Sequence, residues 1–171
     1  MTNNEILRRL RYTFDLADTK MQAIFASANS AVTLEQLAGW LRKEDDPEIV
    51  VLEDIDLASF LNGFINEKRG KKEGAQPEPE EKLTHNIIFI KLKIALTLQA
   101  DEVLAILALA DFRLSKHELS AFFRKPGHKH YRQCKDQILR NFLKGLQLKF
   151  RPAEQPVELI EDQQAEESAA Q

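Results

Sequence analysis

The sequence predicts an all-α protein made of two tandem, pseudo-symmetric four-helix units, packed as one compact body around a pseudo-twofold relation. Three observations predict it: the chain repeats itself at a fixed offset, its apolar residues recur at helical spacing, and a helix-start signal occurs in duplicate. Sliding the 171 residues against themselves by 82 positions aligns Asn4 with Asn86, Leu10 with Leu92, Leu16 with Leu98, Ile24 with Ile106 and Leu37 with Leu119. The match continues without a gap. Arg42-Lys43 falls on Arg124-Lys125, Asp54 on Asp136, Phe60-Leu61 on Phe142-Leu143, Gly63 on Gly145 and Arg69 on Arg151. An offset held this long marks a duplication.

Taken in order, Ile6, Leu10 and Phe14 share one face of a first helix, and Met21, Ile24, Phe25 and Ala28 form the next. Leu34, Leu37, Ala38 and Leu41 give a third, and Leu57, Phe60, Leu61 and Phe64 a fourth. The period is that of an amphipathic helix throughout. Thr33 with Gln36 makes a capping box ahead of the third helix, and Ser115 with Glu118 repeats it 82 residues later. Each hydroxyl satisfies a backbone N–H that the first helical turn leaves orphaned. Gly63 and Gly145 fall inside the fourth helices. Glycine there costs roughly 1 kcal/mol relative to alanine, so both mark places where another helix approaches closely.

The same pass divides the chain. Residues 1–70 form the first repeat and 84–151 the second. Between them, 71–83 is an exposed linker rich in Gly, Pro and Glu, and 152–171 is an acidic, aromatic-free tail expected to be flexible. The 43% hydrophobic content supports a sizeable core. No stretch approaches the ~20 apolar residues that span a bilayer, and the start lacks a signal-peptide layout, so a cytoplasmic protein without membrane contact is expected. A lone cysteine, Cys134, has no internal disulfide partner.

The net charge of -3 conceals an asymmetry. Residues 1–70 carry 8 Lys/Arg against 12 Asp/Glu, residues 83–151 carry 13 against 5, and the tail carries six acids and no base. The second repeat is therefore basic. Its candidate polyanion contacts are Lys116, Arg124, Lys125, Lys129, Arg132, Arg140 and Lys144, since clustered cations neutralise phosphates and release counterions. Tyr131, Phe122 and Phe150 are candidate stacking surfaces. A helix-turn-helix reading, with the third helix presenting Lys116, His117, Ser120 and Arg124, has weak support because the first copy carries no such cations.

The loop after the third helix differs most between the copies. Glu44-Asp45-Asp46-Pro47-Glu48 becomes Pro126-Gly127-His128-Lys129-His130, reversing the charge. Such complementary loops suggest contact within or between molecules, through Glu44, Asp45, Asp46 and Glu48 on one side and His128 and His130 on the other. The acidic loop lacks the ligand spacing of a calcium-binding loop, and His128, His130 and Cys134 lack a second pair to close a zinc site. Neither metal nor cofactor is expected. No phosphate-cradling glycine loop or nucleophile elbow is present, so a small enzyme using His128, Cys134 and Asp136 ranks below a binding protein.

Several of these segments carry a resemblance. Trp40-Leu41-Arg42-Lys43-Glu44-Asp45, Phe60-Leu61-Asn62-Gly63 with Glu67-Lys68-Arg69-Gly70-Lys71, and His128-x-x-Tyr131-Arg132-x-Cys134-x-Asp136-Gln137-x-Leu139-Arg140 resemble the YehS-like bacterial proteins. The resemblance covers roughly residues 3 to 150. It implies a bacterial cytoplasmic protein with a duplicated helical unit and assigns no activity or catalytic residue. His128, Cys134 and Asp136 match the family pattern, in which the position of His130 is often Asn. The expectation from residues and resemblance together is a non-enzymatic binding or regulatory protein whose second repeat contacts nucleic acid. The alternative is a protein-interaction adaptor, or self-association, through the grooves between repeats or the charged loops.

Overall fold

The computed structural model describes residues 1–152, so all but the first residue of the expected acidic tail lies outside the described residues. The first repeat holds α1 (Asn3–Thr13), α2 (Asp18–Ser27), α3 (Leu34–Trp40) and α4 (Asp54–Arg69). The second holds α5 (His85–Ala95), α6 (Ala100–Leu109), α7 (Lys116–Phe122) and α8 (Asp136–Phe150). The described residues are all helix and loop, and each helix has its counterpart 82 residues on. Duplicated side-chain caps start the first and third helix of each repeat. Thr2 and Thr84 accept from the third N–H of α1 and α5, and the boxes Thr33–Gln36 and Ser115–Glu118 close in both directions. Duplicated stops end the first and second: Asp15 and Thr97 follow the first helices and Asn29 and Asp111 the second, all at positive φ between 51° and 63°. The left-handed residue lets the next N–H turn back, as Leu16 does to Arg11 and Leu98 to Lys93, both at 3.0 Å.

Packing begins at the two glycines. A Cβ placed on Gly63 falls onto the carbonyl oxygen of Ile24, and one on Gly145 falls onto that of Ile106. The backbone of α2 therefore lies against α4, and that of α6 against α8, as the sequence predicts. The third helix departs from expectation. Of the expected face Leu37 is buried, but Leu34 and Ala38 are exposed, and Trp40 joins Leu37 in the core. At seven residues the helix has room for only one seam, and Trp40 fixes it by packing on Phe25 at 5.6 Å between ring centroids.

The first helices do not stay at home. α1 packs chiefly on α8, and α5 on α4, so each repeat covers the other repeat's fourth helix. Phe14 shows the result: its ring meets Phe64 of α4 at 5.0 Å and Phe150 of α8 at 5.2 Å. The buried apolar residues of both repeats form one continuous cluster, running from Ile6 to Leu146. Polar contacts repeat the exchange. The Met1 amino group meets Asp136 Oδ1 at 2.7 Å, and 82 residues on, the Leu83 N–H donates to Asp54 Oδ2 at 2.9 Å. Arg140 of α8 forks onto Glu5 of α1 at 2.9 and 3.3 Å, while Lys91 of α5 reaches Asn62 of α4 and Glu80. The linker touches the body through Glu80, Leu83 and Gln76, whose amide oxygen accepts from Asn66 at 2.9 Å.

One buried asparagine per repeat holds the loop that follows the third helix. The Asn4 side chain donates to the carbonyls of Trp40 and Val50 at 3.0 and 2.8 Å and accepts from the Leu52 N–H at 3.0 Å. Asn86 does the same with Phe122, Arg132 and Cys134 at 3.0, 2.8 and 2.8 Å. Three loop groups that water cannot reach easily are satisfied by one amide. Removing that amide strands buried donors and acceptors, each costing about 1–3 kcal/mol. Asn4→Ala and Asn86→Ala are each expected to lower unfolding free energy in urea by about 3 kcal/mol or more, whereas a loss under about 1 kcal/mol would show that the loops are held by something else.

Candidate functional site

The clamp of Asn86 fixes the loop 126–135 against α7, and together they enclose a cleft of about 210 Å³. His117, Glu118, Ala121 and Arg124 line it from the α7 side, and Lys129, His130, Tyr131 and Arg132 from the loop. Arg124 also borders a second, shallower depression of about 310 Å³ with Lys93, Lys116, Ser120 and Phe123. Lys93 stands over the Phe123 ring at 5.2 Å. One arginine thus joins two adjacent basic surfaces.

Of the predicted cations, the structure gathers Lys116, Arg124, Lys129 and Arg132 here. Lys116 lies 3.5 Å from Asp101, an exposed pair. Lys125 and Lys144 are exposed but line neither depression. Arg140 belongs elsewhere: its Nε lies 2.6 Å from Asp136 and its Nη atoms lie on Glu5, so it ties the repeats together. The expected stacking role of Phe122 is overturned, because its ring is buried in the core. Phe150 is partly exposed but leans on Phe14, away from the loop, and Tyr131 alone of the three lines the cleft. Lys93 was not legible as part of this surface, since it sits on α5, 31 residues before Arg124.

The acidic loop of the first repeat is largely taken up by its own repeat. Arg42 meets Asp46 at 3.0 Å and Glu48 at 3.1 Å, and Asp46 Oδ1 accepts from the Glu48 N–H at 2.9 Å. That N–H, then Arg42, hold the Asp46 carboxyl below its usual range. Glu44 accepts from Thr2 and lies 3.5 Å from Arg8; Asp45 is exposed. In the second repeat the same turn is built from histidine: His128 Nδ1 accepts from the His130 N–H at 3.0 Å. His128 Nε2 then lies 3.5 Å from Arg124 Nη1, and Arg124 Nε is buried without a hydrogen-bond partner among the described residues.

Cys134 stands where the first repeat has Leu52 and is 2% exposed. Burial is the main cause that pushes its thiol up to about 12. The Met1 amine and Arg140 instead hold Asp136 down at about 2, on the far side of an inter-repeat ion pair. His128, Cys134 and Asp136 therefore do different structural jobs, and among the described residues no three His, Cys, Asp or Glu side chains converge as metal ligands. No described helix is long and apolar enough to cross a membrane. At about pH 8, near the ordinary thiol value of about 8.5, Cys134 is expected to stay silent to a charged disulfide reagent until the protein is denatured. Reaction of the native protein at a free thiol's rate would contradict this placement.

The comparisons agree with the duplication. A family described as a protein of unknown function (DUF1456) matches twice, over residues 3–70 and 85–151. The chain is also 48% identical over 147 residues to the uncharacterised protein YehS of Escherichia coli strain K12, covering 85% of this chain and 94% of that protein. No solved structure matches. The chain belongs to the DUF1456 family.

Proposed function

We propose that this member of the DUF1456 family is a non-enzymatic binding protein whose second repeat contacts nucleic acid through its phosphates. The reading is carried by one observation: Arg124 joins two adjacent depressions that gather Lys93, Lys116, Lys129 and Arg132 from α5, α7 and the following loop. Cations spread over a continuous surface suit a polyanion, whose condensed counterions are released on contact. Tyr131 in the cleft adds one aromatic face, and the remaining contacts are of a kind that reads backbone rather than sequence. Arg140 plays no part, being spent between the repeats.

The first repeat lacks this surface. Leu34 and Val50, both exposed, occupy the positions of Lys116 and Arg132, and Arg42 is neutralised by its own loop. An apolar, acid-rimmed face of this kind suits a protein partner better than a nucleic acid, and it favours the adaptor as the second reading.

Fluorescence anisotropy of mixed-sequence single-stranded and duplex oligonucleotides with the whole chain tests the first reading. Salt-sensitive binding is expected. The triple variant Arg124→Ala, Lys129→Ala, Arg132→Ala is expected to weaken it and to flatten log K against log salt by about 0.7–0.9 for each phosphate that is no longer neutralised. Unchanged affinity and slope would remove nucleic acid from this face and leave the adaptor reading.

A further inference from the structure

The two repeats carry the same arginine on the same turn, and only one of the two has its anion built in. Arg42 is held at both ends by carboxylates, Asp46 on Nη1 and Glu48 on Nη2. At the equivalent positions around Arg124 stand His128 and His130. The backbone scaffold is unchanged: Val50 N–H donates to Gly39 at 3.0 Å and Arg132 N–H to Ala121 at 3.1 Å, and the turn closes on Asp46 in one copy and His128 in the other. The first repeat therefore shows where negative oxygens sit relative to this guanidinium.

We infer that the cleft beside Arg124 is a discrete phosphate-group site, filled from outside the chain where the first repeat fills it with Asp46 and Glu48. The inference rests on the proposed phosphate-binding role of the second repeat and assigns its anchoring point. Hydrogen-bonding geometry supports it. Because His128 Nδ1 accepts from the His130 N–H, the neutral ring carries its proton on Nε2, which faces the Arg124 Nη1 donor at 3.5 Å. Two donors face each other beside the cleft, whose wall includes Arg124 but not His128, and one acceptor oxygen between them satisfies both. Arg124 Nε is buried and has no partner among the described residues, so no internal acceptor neutralises that edge of the guanidinium.

The other charged groups on the cleft favour an anion. Lys129 and Arg132 face it from the loop, with His117 from α7 and His130 and Tyr131 beside them. Glu118 is the one carboxylate on the wall, and its Oε1 is engaged by the Ser115 N–H at 3.1 Å in the capping box. The volume of about 210 Å³ admits a phosphate with attendant water, at about 30 Å³ per water. The planar, fixed guanidinium fork matches such a group better than a lysine does. The chemistry is shared by a backbone phosphodiester and by a free phosphate ligand.

The test is a titration of the isotope-labelled whole chain, followed by its 1H–15N spectrum. Inorganic phosphate and thymidylyl-thymidine, which carries one phosphodiester, are added separately against chloride at matched ionic strength. Shifts are expected at Arg124 Nε–H and at the backbone amides of Tyr131 and Arg132. Response to both probes is expected from a backbone-phosphate site, and response to inorganic phosphate alone would assign the site to a free phosphate ligand. The double variant His128→Asp, His130→Glu restores the first repeat's carboxylates on a turn that already accommodates them. It is expected to keep a dispersed spectrum and to weaken the response by about tenfold or more. No shift at Arg124 with either probe, or equal shifts in the double variant, would overturn the inference. Oligonucleotide binding that survives in that case would leave the broader reading standing, whereas an Arg124 response without oligonucleotide binding would do the reverse.

Discussion

The exchange of first helices is the constraint on which the rest of the structure depends. Each fourth helix is covered on one side by the second helix of its own repeat, at a glycine that admits the partner backbone, and on another by the first helix of the other repeat. Each fourth helix therefore borrows part of its cover from the other repeat. Small helical units of about 70 residues bury too little surface to be comfortably stable by themselves, and pooling two such units into one apolar cluster relieves that limit. The duplicated polar contacts, Met1 with Asp136 and Leu83 with Asp54, follow from the same exchange.

A rigid, duplicated frame leaves its loops open to change. The buried amides of Asn4 and Asn86 fix the backbone after the third helix in both copies, so side chains there vary without loss of the turn. In one copy the loop neutralises its arginine with Asp46 and Glu48. In the other, histidines replace the carboxylates, Val50 becomes Arg132 and Pro47 becomes Lys129, and the arginine faces a basic cleft. Duplication thus supplies an internal reference: one repeat shows the closed ion pairs, the other the same frame with the acids removed.

Much of this was legible in the sequence, and what was not has a common cause. Helix positions, both capping boxes and the meaning of Gly63 and Gly145 depend on neighbours three or four residues apart or on a repeat that confirms itself. Short-range rules suffice there. The fixed offset, however, is silent on whose first helix covers whose fourth. Arg140 read as a surface cation because its partner Glu5 lies 135 residues away. The pairing of Asn4 with Asn86 was visible as an alignment, but its role needed the three loop groups that each amide reaches. Phe122 read as a stacking candidate amid cations, although its place on a short helix turns it to the core. Of the seven predicted phosphate contacts, Lys116, Arg124, Lys129 and Arg132 came together because the clamp folds the loop back on α7, while Lys93 joined them from a different helix.

The central claim is that the two repeats share one core and fold as one unit. Trp40 lies buried in the first repeat against Phe25 and reports on that half alone, while amide exchange in α6 and α8 reports on the second. Urea unfolding followed by both probes is the most direct test. A shared core predicts coincident transitions with one midpoint and one slope. Two separated transitions, with α6 and α8 still protected after Trp40 is exposed, would contradict it.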